Sequence, residues 1–353
     1  MEILSNIPLA PFTTLGIGGP ARWFTEVTSE EEIVEAVDWA RLHNVPIFIL
    51  GGGSNLLISD AGFNGLVIRI ALLGRSASKD ATHCIYQWAA GEPWDGCLVQ
   101  TLIDQCSGLE CLKGIPGTVG GTPVQNIGAY GQEVSSVIHS VRAYDLHDLA
   151  FVELNASDCN FSYRRSRFNS TDRGRFIITR VDYWLTPGGV PTLRYPELQR
   201  EFESELSTGA QPTLLQVAAA VGRIRFSKGM LISEGDPDSR SAGSFFKNPI
   251  VTEEHFQQIA TQFPAPPPNF PAERGLNGEP RVKIPAAWLI EQAGFSKGYT
   301  LGQAAISSRH TLALINKSSA TAAEILALAQ QISAAVDARF AIHLDMEPVQ
   351  VGF

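Results

Sequence analysis

The sequence predicts an α+β fold divided into two or three domains. Length is the first observation: 353 residues, at roughly 100–200 per domain. The second is the order helix, strand, glycine turn, strand near the N-terminus. The third is a change of character at about Thr213, after which helices dominate the pattern.

The elements follow in order. TSEEEIVEAVDWARLHN opens from Thr28 with a capping box of Ser29 and Glu32, and Ile33, Ala36, Val37 and Ala40 share one helical face. VPIFIL (45–50) reads as a buried strand. It runs into GGGSN (51–55), then LLIS, a turn through Asp60–Gly65, and the strand LVIRI. IYQWAA predicts a strand and PWDGCLVQTLIDQCSG a helix ending near Gly108. The glycine-rich connection KGIPGTVGGTPVQNIGAYG (113–131) leads to strands VIHSVRAYDL, LAFVEL and RFIITRVDYWL. TPGGVPTLRYPEL (186–198) reads as a loop. Helices TLLQVAAAVGRIR, TEEHFQQIATQF and PAAWLIEQAG follow, with SAGSFFKNPIV and the loop FPAPPPNFP between them. Strand HTLALIN precedes a long helix capped by Thr321 and Glu324. IHLDMEPVQVGF reads as a final strand.

Composition narrows the function classes. A net charge of −9 argues against nucleic acid or an anionic membrane as the main partner, while leaving room for a local basic pocket. No stretch approaches 18 apolar residues, so no membrane span is expected. The N-terminus lacks the basic and apolar regions of a signal peptide. Five cysteines at 84, 97, 106, 111 and 159 form no C-x-x-C pair, and reduced thiols in a cytoplasmic protein are expected. Seven scattered histidines make no ligand cluster, so no metal is expected.

Glycine turns serve tight backbone geometry or the close approach of N–H groups to phosphate. One G-G-G favours the first reading. Here GGGSN coexists with a second cradle, PGTVGGTPVQNIGAYG, whose polar fingers are Thr122, Gln125 and Asn126. Two such loops suit a two-phosphate ligand. A Rossmann site needs its glycines between a strand and a helix. GGGSN joins strand to strand, and GIGGPA (16–21) lacks the third glycine. A dinucleotide bound without a helix dipole is the better inference.

PIFILGGGSNLLISD, IPGTVGGTPVQNIGAYG, FSYRRSRF, SAGSFFKNP and the C-terminal MEP resemble the UDP-N-acetylenolpyruvoylglucosamine reductase family, in order, from about Thr13 onward. The resemblance implies a two-part FAD-binding region of the PCMH/vanillyl-alcohol-oxidase type plus a C-terminal α+β substrate domain. It implies a first FAD subdomain over 1–70, joined by a returning strand at 341–353. A second would span 71–212 and carry a Tyr195 loop, and a substrate domain 213–340. Non-covalent FAD would rest on Gly51, Gly52, Gly53, Ser54, Asn55, Pro116, Gly117, Gly120, Gly121, Thr122, Asn126, Gly128, Ala129 and Arg225. The implied partners are NADPH and UDP-N-acetylglucosamine enolpyruvate, and a monomer is expected.

The implied reaction reduces an enol ether and must stabilise an enolate and supply a proton. Ser244 matches the family's proton donor, with Gly243 beside it. Composition does not choose among Arg164, Arg165 and Arg167; motif position picks Arg164 as the guanidinium for the substrate carboxylate. Alternation places His343, Asp345 and Glu347 on one strand face, and alignment to the family favours Glu347 over Asp345 as the catalytic acid. Substrate contacts carry over as Tyr130, Tyr195, Lys228, Asn248 and Gln292. Phe270 stands where the family has a second pocket tyrosine, so a ring remains for stacking without its hydroxyl. Rival readings are another FAD-dependent oxidoreductase on this scaffold, a non-catalytic flavin-binding electron-transfer module, and an NAD-dependent Rossmann dehydrogenase. The residues alone do not separate NADPH from NADH.

Overall fold

The computed structural model describes every residue except Ala81 and Leu276. The chain is α+β and forms two compact units that share the sequence unevenly. The first comprises Met1–Pro8, Pro20–Gly53 and Phe63–Leu231; the second comprises Leu9–Gly19, Ser54–Gly62 and Ile232–Phe353.

Two large sheets and one short hairpin build the first unit. In one, strands Leu4–Pro8, Pro20–Val27, Phe63–Ile70 and Ile47–Leu50 lie side by side in that order. The last three run parallel. Helix Glu30–Leu42 supplies the crossover, and its buried residues are the predicted stripe Ile33, Ala36, Val37 and Ala40. Ser29 Oγ accepts from Glu32 N, but the Glu32 carboxylate reaches back to Thr28 N (2.7 Å). The other sheet is antiparallel, in the order Ala150–Asn155, Ile138–Asp145, Phe176–Pro187, Cys84–Ala89, Arg75–Lys79. A single apolar core joins both sheets, with Trp88, Trp94 and Tyr183 almost fully enclosed.

The second unit is organised around helix Ala322–Phe340. Its start has a complete capping box: Thr321 Oγ1 accepts from Glu324 N, and Glu324 Oε2 accepts from Thr321 N. Asp60, on the short segment 54–62, adds a second cap by accepting from Ala322 N (2.8 Å) and Ala323 N (3.1 Å). Carboxylates there also complement the helix dipole. Strand Val349–Val351 pairs in parallel with Leu56–Ile58. The core gathers Leu57, Phe245, Phe246, Leu289, Leu314, Ile325, Leu328 and Ile332.

Several readings are corrected. Cys84 and Cys106, expected as free thiols, are joined in a disulfide. Sequence spacing hid this because both flank one strand: Cys84 pairs with Leu185, and Cys106 with Pro187. Helix Trp94–Ile103 stops before Gly108, because Gln105 turns left-handed at φ 56° and Cys106–Ser107 joins the sheet. The stretch 186–198 is not all loop, since helix Pro196–Glu201 begins inside it with Tyr195 as its N-cap. The final strand covers only Val349–Val351. Helix Leu214–Ser227 packs with the first unit.

Candidate active site

GGGSN follows strand Ile47–Leu50 in sequence, its glycines Gly51–Gly53 closing that segment of the first unit, with no helix before strand Leu56–Ile58. Its glycines abut the second glycine loop. A Cβ on Gly52 would sit 2.5 Å from Gly117 Cα and 3.0 Å from Thr118 N. Only glycine permits that backbone contact. Gly117 takes φ 124°, a region denied to L side chains. A Cβ on Gly121 would meet no heavy atom within 4 Å.

Two buried polar atoms beside this cradle have no hydrogen-bond partner: Thr118 Oγ1 and Arg225 Nε. Thr118 Oγ1 would be 3.2 Å from a Cβ on Gly51. Arg225 keeps one bond, Nη2 to Met230 O at 3.1 Å. Burial pushes its pKa down, against the pull of Tyr130 and Asp95. Buried donors without partners are costly. A ligand bearing anionic oxygens would satisfy them, so the residues present fit FAD.

Downstream, Gly128–Ala129 and Gln132–Glu133 form a hairpin. Its two turn residues, Tyr130 (φ 51°) and Gly131 (φ 83°), have the paired positive φ of a type I′ turn. Asn126 is fully buried and ties this hairpin to the arginine loop. Its Nδ2 donates to Glu133 Oε2 (2.9 Å) and Ser162 O (3.1 Å), and its Oδ1 accepts from Ser135 N. Thr122 Oγ1 lies on Val119 O and the Tyr183 hydroxyl. These two predicted cofactor residues thus have protein partners. Thr118, not singled out from the sequence, has the orphaned hydroxyl.

The arginine loop is a tight hairpin in which Ser162 and Arg165 exchange both backbone hydrogen bonds. Arg164 takes φ 54°, a strained setting for a non-glycine residue and one found often at functional sites. Its Nη2 donates to Gly128 O (2.8 Å), and Asn169 Nδ2 holds its carbonyl. Arg167 is paired with Asp172, and Arg165 is exposed. Geometry thereby separates three arginines that composition leaves equivalent.

Tyr130 packs edge-on against Tyr195, ring centroids 5.4 Å apart at 87°. Lys228 Nζ lies 5.9 Å from the Tyr130 ring centre and 2.6 Å from Glu197 Oε2. Burial pushes the Tyr130 phenol up to about 12. Burial also raises Tyr195, with Glu197 adding to the effect.

In the second unit, SAGSFFKNP is fixed on both sides of Ser244. Phe245 N donates to Leu312 O (2.7 Å), Glu347 N to Phe245 O (2.9 Å), and Lys247 N to Asp345 O (2.9 Å). Phe245 and Phe246 are both enclosed and stack edge-on at 5.5 Å. Before the serine, Gly243 takes φ 76° and donates to Ser241 Oγ, and Thr14 holds Ser241 O. Ser244 is half-buried between these anchors. The same ladder brings Glu347, also half-buried, alongside the motif. Asn55 Nδ2 donates to Glu347 O (3.3 Å). The Asp345 side chain is 74% exposed. Asn248 Oδ1 accepts from Ala286 N and so caps helix Ala286–Gln292, whose last residue is Gln292. Phe270 pairs with Lys283 at a sheet edge. Ser54 and Asn55 also lie in this unit.

Comparison with known proteins assigns a class first. Residues 21–148 match the profile of an FAD binding domain, and residues 236–351 match the profile described as UDP-N-acetylenolpyruvoylglucosamine reductase, C-terminal domain. Cradle and profile define a flavin-dependent oxidoreductase. The chain is 44% identical to the UDP-N-acetylenolpyruvoylglucosamine reductase of Streptomyces coelicolor, across 100% of this chain and 91% of that one. It is 42% identical to that of Thermobifida fusca, across 98% and 97%. The crystal structure of the same-named enzyme from Thermus caldophilus superposes with a TM-score of 0.65 at 27% identity, covering 99% of this chain and 98% of that one. The chain belongs to the UDP-N-acetylenolpyruvoylglucosamine reductase family.

Proposed function

We propose that Ser244, Arg164 and Glu347 carry out the protein's chemistry, which is the NADPH-dependent reduction of UDP-N-acetylglucosamine enolpyruvate to UDP-N-acetylmuramate in peptidoglycan precursor synthesis. The enzyme is an FAD-dependent oxidoreductase. When bound, FAD supplies two-electron hydride transfer from NADPH to the outer alkene carbon. Gly51–Gly53, Gly117, Thr118, Gly120, Gly121 and Arg225 would hold it.

The substrate gains negative charge on the inner carbon and its carboxylate as hydride arrives. Arg164 receives that carboxylate; a guanidinium matches it with two parallel hydrogen bonds. Ser244 Oγ gives the proton to the inner carbon. Glu347, brought beside SAGSFFKNP by the 345–347 ladder, joins Arg164 in stabilising the enolate. Lys228 takes the diphosphate, Tyr130 and Tyr195 close on the nucleotide, and Asn248, Gln292 and Phe270 complete the contacts. A monomer in the cytoplasm fits this reading. Among the described residues, no helix is long and apolar enough to cross a membrane.

The observation that carries the assignment is the pinned backbone on both sides of Ser244, which exposes one hydroxyl between two core phenylalanines and a left-handed glycine. Mixing the flavin-loaded protein with NADPH tests the whole reading. NADPH should be consumed in stoichiometry with added UDP-N-acetylglucosamine enolpyruvate. Consumption independent of the sugar nucleotide would point to the rival oxidase, and none at all to an electron-transfer module.

A further inference from the structure

Lys228 is the C-cap of helix Leu214–Ser227, its N–H bonded to Ile224 O and Arg225 O. A helix C-terminus favours a cation, so the ammonium is well placed to wait there for an anion. Yet its charge is already engaged. Glu197 Oε2 sits 2.6 Å from Nζ, with the two side chains only 28% and 31% exposed. Glu197 belongs to the first turn of helix Pro196–Glu201, directly after the Tyr195 N-cap. The ion pair and the Tyr130–Tyr195 ring contact therefore close the same short segment at two neighbouring points. Leu193 O, just before the segment, accepts from Gln199 Nε2 (2.9 Å), which makes the turn and the helix start a single piece.

We propose that Glu197 is a specificity-determining counter-ion: it occupies Lys228 until a diphosphate displaces it, and it thereby selects diphosphates over singly phosphorylated nucleotides. The argument rests on the assignment of Lys228 to the substrate diphosphate. A carboxylate and a phosphate compete for one ammonium. A diphosphate brings two charged groups and can hold Lys228 after displacing Glu197. A monophosphate brings one and gains little from the exchange. The same displacement removes the ion pair that ties the Tyr195 segment to Lys228, while Leu198 and Phe202 keep the segment anchored in the core.

Glu197→Gln keeps the shape and removes the charge. Part-exposed ion pairs support effects of roughly two- to fivefold. The variant should lower the KM for UDP-N-acetylglucosamine enolpyruvate by about that factor with kcat nearly constant. Inhibition by UMP should tighten more than inhibition by UDP, so the UDP/UMP ratio of inhibition constants narrows. A structural role would not move that ratio. A raised KM, or an unchanged ratio, overturns the proposal, because Glu197 would then be orienting Lys228 and not competing for it. Lys228→Met separates the two levels. An unchanged KM in Lys228→Met refutes the diphosphate assignment itself. A raised KM there, with no gain in Glu197→Gln, refutes only the competition.

Discussion

Replacing Gly52 with alanine tests whether the two glycine loops form one phosphate cradle. The added Cβ would lie 2.5 Å from Gly117 Cα, 2.9 Å from Gly117 C and 3.0 Å from Thr118 N. All three are backbone atoms and cannot rotate away. Carbon atoms pack at about 3.5–4.0 Å, so the loops must part by roughly 1 Å, enough to break a hydrogen bond of ordinary length. Each charge-assisted bond lost costs about 1.5–3 kcal/mol, which weakens FAD binding by roughly 10- to 150-fold. The strain should also lower the stability of the flavin-free protein by about 1–3 kcal/mol. Gly121→Ala separates the two effects, since its Cβ would meet no protein atom within 4 Å. That variant should melt like the parent without flavin and still bind FAD at least about tenfold more weakly, the loss of one such contact. The assay is thermal unfolding of flavin-stripped protein, followed by titration with FAD monitored by flavin fluorescence. A Gly52→Ala protein that binds FAD within twofold of the parent would refute the cradle, as would a Gly121→Ala protein with unchanged affinity.

Other outcomes follow from the same residues. Ser244→Ala should leave flavin reduction by NADPH near the parental rate and slow reoxidation by substrate by roughly 10²–10⁴-fold, with Ser244→Cys retaining more activity; stopped-flow traces showing normal reoxidation in the alanine variant would remove the proton-donor role. Acid precipitation should release the flavin, because the free thiols of Cys97, Cys111 and Cys159 are buried, with burial pushing Cys97 and Cys159 up to about 12; colour retained in the pellet would contradict this. Asp145 is held at a pKa of about 2, mainly by hydrogen bonds from Arg175. A depressed folded pKa adds stability above the unfolded value near 3.9, lost as pH falls toward 2. Asp145→Asn should therefore cost about 2 kcal/mol at pH 7 and progressively less below pH 4, as read by urea unfolding; a gap independent of pH would exclude the ionic origin.

Regular periods were legible and long-range ties were not. The stripe Ile33, Ala36, Val37, Ala40 and the Thr321–Glu324 cap follow from local spacing, and both stand in the structure. So does the absence of a helix after GGGSN, which ruled out a Rossmann turn. Strands Leu4–Pro8 and Pro20–Val27 escaped notice because the first is nearly all exposed and the second alternates irregularly. The Cys84–Cys106 bond depends on which strand both cysteines flank, a fact of sheet order alone. Motifs singled out Ser244 and Arg164 but could not show how either is held. That comes from Phe245 N on Leu312 O and Arg164 Nη2 on Gly128 O, contacts that only tertiary structure creates. Thr118 and Glu197 carry no local signature; their interest lies in an unsatisfied hydroxyl and a neighbouring ammonium.

The pairing of Leu56–Ile58 with Val349–Val351 has a consequence during synthesis. At about 5–20 residues per second, the ribosome needs roughly 15–60 s to add the approximately 290 residues between the two strands. Throughout that interval an apolar strand has no edge to pair with, and Asp60 has no helix to cap. The first unit can finish once Leu231 emerges, but the second must wait for Val349–Val351. A nascent chain stalled before Val349 should therefore expose Leu56–Ile58 to chaperones, and emergence of Val349–Val351 should bury it in one step.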